Sequence, residues 1–438
     1  MGVPLQFTCI LYVAIFLDYF LVGSVTPLLP RIALAHALSP EESSLVLSAK
    51  CFVHMASSPV VAILSYRYTG DAVLVFGVVL LSAASIGMAL SSNLAGLIVS
   101  RSSQGVAVAC IMVGGMSILI RVAPPDKRGK YIALAYSALG HAYLVSPLLS
   151  GLMYDYLDGQ FWTFMIPGVI TVVWALVSAF YFFNPNRESG TAVASSSPSL
   201  PNSFPQVLKA LFSQPLCLMA LVGIFSSGVT SGCIEIVVPQ LITKYNGGLP
   251  VLESNLIWTL GPLAFTLVAP LAGHLIDKLG AATMFLTAQF LIALFYPLYF
   301  LMDSSLVGIG AIVMTSFALE AIMELSAYAL IAQIVDSTKL VNALPVGYSL
   351  NEVSIQGGFA VGNIIGVLLA AWMGLLGVGL IMGSVNGFLA IAAVVFHTST
   401  RVHGNHCPDQ GNTCHSENLS SDTTRIQQEN THKMSSFP

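Results

Sequence analysis

A succession of apolar runs, each about 20 residues long and separated by short polar breaks, decides the solvent of this chain before any other feature. A helix of that length crosses a hydrocarbon core about 30 Å thick. The runs fall at 5–29, 44–66, 73–91, 95–120, 131–153 and 162–183, then at 215–238, 253–276, 281–302, 306–335, 344–371 and 375–397. With 55% hydrophobic residues, 8% charged residues and a mean hydropathy of +0.82, a soluble domain of 438 residues would expose large apolar patches. The expectation is an all-α membrane protein of twelve transmembrane helices in two six-helix pseudo-repeats. Residues 1–183 and 215–397 form the two bundles, the Ser- and Pro-rich stretch 184–214 is a cytosolic linker, and the polar stretch 398–438 is a disordered cytosolic tail.

Basic residues set the expected orientation. With the N-terminus in the cytosol, Arg67, Arg121, Lys127, Arg128, Lys130, Arg187, Lys209, Lys278, Lys339, Arg401, Arg425 and Lys433 fall inside, against Arg31 and Lys244 outside. Both termini are then cytosolic, and the sequon at Asn418 stays unmodified. The first apolar run is full length and lacks a basic segment before it, so it reads as an anchor rather than a cleaved signal. Cys9, Cys51, Cys110, Cys217 and Cys233 lie at or within spans, and no disulfide is expected. His403, His406, Cys407, Cys414 and His415 of the tail match no standard metal spacing. No phosphate loop, metal cluster or nucleophile elbow appears, which argues against an enzyme and against a cofactor. Nothing suggests nucleic-acid binding, and the chain is expected to act as a monomer.

Against that apolar background the charges inside spans stand out. Asp18 lies midway along the first span, Lys50 opens the second, and Arg101 lies in the fourth. Glu235 is in the seventh, Glu320 and Glu324 in the tenth, and Glu352 in the eleventh. A charge near the bilayer centre costs about 2.5 to 3.5 kcal/mol on insertion scales, so such residues face a partner or a water-filled cavity. The bland alternative is a set of structural ion pairs, strongest for Lys50 and Arg101 near span ends. Two bases cannot neutralise all these acids, however, and burial disfavours the charged form of a carboxyl, so some acids are expected to carry protons. Glu320 and Glu324 are four apart on one helical face, where mutual repulsion favours a proton on at least one of them.

These residues resemble the major facilitator superfamily, in particular its twelve-span drug:proton antiporters, over 11–396. The motif Arg101-Ser-Ser-Gln104-Gly105 is similar to the antiporter-linked motif of the fourth span, and the stretch from Pro124 to Tyr131, with Asp126, Arg128 and Gly129, is similar to the loop after it. Gly273, Asp277, Lys278 and Gly280 copy the family's cytoplasmic loop motif, whose counterpart in the first half keeps Arg67 and Gly70 but has Tyr66 in place of its Asp. Gly140, Pro147 and Gly151 in the fifth span resemble the antiporter Gly/Pro motif, with Ser146 and Ser150 replacing glycines. Within the group the chain is most similar to vesicular amine transporters. That resemblance gives Asp18 the role of an ammonium-binding carboxylate paired with Lys50, places Glu235 at a seventh-span glutamate, and sets Glu324 and Glu352 where the family has aspartates. Tyr19 stands in place of an Asn and Phe359 in place of a Tyr, and the loop at 31–43 is short.

The resemblance therefore implies a proton-coupled antiporter for a small organic, cationic or amphiphilic compound, placed in the plasma membrane or an acidic organelle. Asp18, Tyr19, Glu235, Glu352 and Phe359 would bind the substrate. Glu324, Glu352, Asp18 and Lys50 would couple it to protons, together with Glu320, which has no family counterpart and is included on its helical spacing to Glu324 alone. The main alternative is a facilitator or proton symporter for an uncharged or anionic solute held by Lys50 and Arg101. A transporter-like receptor or scaffold has no reason to keep costly carboxylates in lipid.

Overall fold

The computed structural model describes residues 3–67, 70–123, 128–157, 159–183, 204–245, 251–301, 305–337 and 344–404. All of its regular structure is helical. The first six helices are α1 Val3–Ala35, α2 Pro40–Arg67, α3 Gly70–Leu90, α4 at 94–122, α5 Arg128–Tyr156 and α6 Gln160–Phe183. A short α7, Phe204–Phe212, leads into α8 Pro215–Tyr245, α9 Val251–Leu279, α10 at 281–301 and α11 Leu306–Ser337. The last helical stretch, Leu344–Gly404, breaks at Gly374 into α12 at 344–373 and α13 at 375–404. Leaving out α7, twelve long helices remain, as the apolar runs require. Ten segments of the described residues are long and apolar enough to cross a membrane, and one of them, Ser349–Ala392, contains the α12–α13 break.

Local chemistry explains the breaks. Ser39 and Glu42 form a reciprocal cap at the start of α2: the Ser39 hydroxyl accepts the Glu42 N–H at 3.2 Å, and the Glu42 carboxylate accepts the Ser39 N–H at 2.8 Å. Asn93 caps α4 by accepting the Gly96 N–H at 2.8 Å. Gly374, at φ 65°, takes the left-handed conformation that lets α13 follow α12 through a single non-helical residue. In α4 the chain passes through a π turn at Cys110–Gly114. The expected linker departs from a plain coil at α7, where Val207 and Leu211, four residues apart, are buried while Gln206 and Lys209 stay exposed. That spacing puts an apolar pair on one helical face, enough to fold nine residues against α8.

The exterior carries large apolar side chains: Val307, Trp372 and Phe388 are 85%, 87% and 72% exposed. Lipid covers such side chains at no cost. Inside, α1 packs on α5, α2 on α4 and α3 on α6, while α11 packs on α9, α10 and α8. The α5–α9 contact joins the first-half helices to the second-half ones. It is drawn tight at one end, where Asp155 accepts the N–H groups of Val251 and Leu252 at 3.2 and 2.8 Å, and Asn255 donates to the Pro147 carbonyl at 2.8 Å. This end also carries the α1–α2 turn. α8 and α12 meet through glycine, since a Cβ on Gly228 or Gly232 would strike the backbone of 355–363 and one on Gly358 or Gly362 that of 225–229.

The candidate linker residues 184–203, the tail at 405–438 with Asn418 and its cysteines, and Asp126 lie outside the described residues.

Candidate functional site

Eight helices open onto one central cavity with about 1160 Å³ of empty space, its open mouth included. Its walls come from α1, α2, α4 and α5 on one side and α8, α9, α11 and α12 on the other. Lys50 and Arg101 are on the first wall; Glu235, Glu320, Glu324 and Glu352 are on the second. Aromatic rings line both walls, including Tyr19, Tyr143, Trp258, Phe317, Tyr328 and Phe359. Tyr19 meets Tyr143 edge-on at 5.4 Å between centroids, and Trp258 meets Phe317 at 5.6 Å.

On the second wall three acids are already engaged: Glu320 is bonded to the Ser231 side chain, and Glu352 to that of Gln356 besides the Tyr328 hydroxyl. The Tyr328 hydroxyl donates to Glu352 at 2.5 Å, and the Thr26 hydroxyl of α1 reaches across to donate to Glu235 at 2.7 Å. Glu320 and Glu324 lie one turn apart on α11 and both face the cavity, half-buried. On the first wall the Lys50 ammonium lies 5.9 Å from the centre of the Tyr19 ring, within range of a cation–π attraction.

Asp18 is fully buried and is not among the cavity-lining residues. Its donor is Gln104, whose amide nitrogen lies 2.9 Å from Oδ1, and its Oδ2 meets no hydrogen-bond donor. The oxygen of the same amide accepts from Arg101. Gln104 therefore bridges a buried guanidinium and a buried carboxylate, passing the pull of one to the other without a direct ion pair. Gly105 makes this possible: a Cβ there would lie 2.5 Å from the Lys50 carbonyl, so α4 touches the α2 backbone and brings Arg101 and Gln104 in beside Lys50. The sequence assigned Lys50 as the partner of Asp18; the structure keeps the Lys50 charge close enough to act on Asp18, gives that carboxylate its hydrogen bond from Gln104, and sets the ammonium over the Tyr19 ring.

The remaining motif residues have varied surroundings. Gly140 lines the cavity, and Gly151 lets α5 approach Leu252 of α9, where a Cβ would come within 3.0 Å of the backbone. Pro147 offers its carbonyl to Asn255. Gly273 has open space around it, Asp277 and Lys278 are exposed at the end of α9, and Gly280, at φ 85°, turns the chain into α10. Among the described residues no group of His, Cys, Asp and Glu could hold a metal ion. Thr26, Tyr143, Tyr328 and Gln356 line the cavity without having been singled out from sequence, although Tyr328 lies four residues beyond Glu324 on the same helical face.

The sequence profile of the Major Facilitator Superfamily matches residues 11–336 and 220–413. The chain belongs to this superfamily. As a member it is an integral, multi-pass membrane transporter of small molecules and not an enzyme. The synaptic vesicular amine transporter of Rattus norvegicus is 22% identical over 241 residues, 52% of this chain and 44% of that protein. The quinolone resistance protein NorA of Staphylococcus aureus (strain MRSA252) is 21% identical over 191 residues, 44% of this chain and 49% of NorA. The matched regions thus span about half or less of these relatives. Among solved structures, a POT family transporter in complex with a thioalcohol-conjugated peptide superposes with a TM-score of 0.70 at 15% identity, covering 90% of this chain and 96% of the other. The nucleoside transporter NupG gives 0.67 at 11% identity over 89% and 98%. At such identities the likeness is one of fold.

Proposed function

We propose that this superfamily member is a proton-coupled antiporter for a small organic cation with an apolar or aromatic body. The observation that carries the reading is the convergence of Glu235, Glu320, Glu324 and Glu352 on one aromatic-lined cavity whose bases stand on the opposite wall. An ammonium group finds carboxylates and ring faces there together. A proton on Glu320 or Glu324 offsets the same charge, so solute and proton compete for one electrostatic well, which is the requirement for exchange. The similarity to an amine transporter and to a quinolone resistance protein supports the same class of cargo. Glu324 loads the proton, Glu352 and Glu235 face the ammonium group, and Tyr19 and Phe359 supply ring surface. Asp18 acts from behind the wall, through Gln104 and Arg101. The two six-helix halves, 1–183 and 215–397, rock about this site in a monomer whose termini are both cytosolic, in the plasma membrane or an acidic organelle.

Acid-loaded vesicles test the proposal. Radiolabelled aromatic amine should accumulate only while the gradient stands, and Glu324→Gln should lower that accumulation at least tenfold while leaving binding measurable. Accumulation that ignores the gradient in the parent protein would sink the idea. A second reading rests on Lys50 and Arg101 facing the same space: a facilitator or symporter for an anionic solute, in which those bases hold the cargo. Competition by an organic anion, with none by amines, would favour it.

A further inference from the structure

A second cavity lies between α1, α2 and α8 on the side of Glu235 toward the α1–α2 turn, and Leu29, Pro30, Leu38, Ser43, Pro239 and Gln240 are among its walls. Thr26 and Glu235 are the two residues that line both this cavity and the central one. They are also bonded to each other, at 2.7 Å.

The wall is continuous on either side of that bond. Along α1 the lining residues include Tyr19 and Val22, then Thr26, then Pro30 and Ala33; along α8 they include Ser231, Glu235, Pro239 and Thr243. Steps of three and four keep one helical face throughout, so the same two faces wall both cavities. Backbone chemistry weakens both helices at this point. Proline has no N–H, so Pro30 leaves the Thr26 carbonyl, and Pro239 the Glu235 carbonyl, without its helical donor four residues on. Each bonded residue thus stands at a place where its own helix bends at low cost.

We propose that the second cavity is a vestibule of the same permeation path and that the Thr26–Glu235 hydrogen bond is the gate between vestibule and central cavity. Breaking one side-chain bond, with α1 and α8 flexing at Pro30 and Pro239, joins the two spaces. The vestibule wall is apolar apart from Ser43, Gln240 and Thr243, with Thr26 and Glu235 at its inner end. It fits an apolar body trailing an ammonium group. That last statement rests on the function proposed above; the gate itself does not.

Cys51 lines the central cavity as a free thiol and serves as the reporter. The full-length protein in sealed vesicles of each orientation is treated with an impermeant cationic methanethiosulfonate, and modification of Cys51 is followed by peptide mass spectrometry. Thr26→Val, which removes the donor, should raise the labelling rate at least threefold, and only from the side carrying the α1–α2 turn. Thr26→Ser, which restores the hydroxyl, should return it to the parent rate, and Glu235→Leu should reproduce the one-sided rise from the other half of the bond. Labelling of folded Thr26→Val or Glu235→Leu at the parent rate, or an equal rise from both sides, overturns the gate. Because no solute is needed, a failed transport assay and a failed gate are separate results.

Discussion

The two walls of the central cavity handle charge in opposite ways. On the first wall Arg101, Gln104 and Asp18 form a closed relay inside the protein, and Lys50 is drawn to the Tyr19 ring. On the second wall four glutamates face the open space, and their donors are mainly hydroxyls, Thr26 on Glu235, Ser231 on Glu320 and Tyr328 on Glu352, with the Gln356 side chain a further partner of Glu352. A buried charge bridged through an amide is spent on structure. A carboxylate bonded to a hydroxyl stays available, because the hydroxyl can give up the bond at small net cost. We propose that the buried relay behind the first wall is scaffold and that the acids of the second are the working surface, a division that sequence positions alone did not show.

The contrast is open to direct attack. Gln104→Leu should have the largest effect, since it leaves a guanidinium and a carboxylate buried without their bridge; a buried group that loses its hydrogen-bond partner costs about 1–3 kcal/mol, more when it is charged. Folded yield and thermal midpoint in detergent report it, and a midpoint near that of the parent would mean the relay is not structural. Tyr328→Phe should leave the midpoint unchanged and alter the apparent affinity for an organic cation about tenfold, the size expected for one hydrogen bond to a charged group. A melting loss instead would move Glu352 into the scaffold class. The smallest effect belongs to Tyr19. Tyr19→Phe keeps the ring under Lys50 and should change transport less than twofold, whereas Tyr19→Leu removes a cation–π attraction worth about 0.5–1 kcal/mol and should cost a few-fold in rate.

Much of the fold was legible because lipid imposes a coarse code. Twenty apolar residues make a span whatever their neighbours, and even the single-residue joint at Gly374 fell between two expected runs. The α7 helix escaped because two buried residues, Val207 and Leu211, are too few to register against a polar, proline-bearing stretch. At the site, the acids announced themselves by their cost in an apolar run, and Glu235, Glu320, Glu324 and Glu352 do share one cavity. Partnerships were less readable. Asp18 and Gln104 are 86 positions apart, Thr26 and Glu235 209 apart, and a neutral Thr or Gln in a span carries no penalty that would draw attention to it. Only packing, set by Gly105 against α2, decides which amide reaches which carboxylate.

The glycine contact between α8 and α12 bears on cargo length. Backbone rests on backbone at Gly228, Gly232, Gly358 and Gly362, and these helices carry Glu235 and Glu352. The gap separating those two acids is thus gauged by main chain rather than by compressible side chains, as in a caliper locked at one setting. A methyl added at Gly362 would act as a shim, resetting the span the protein measures from a position that never meets what is measured.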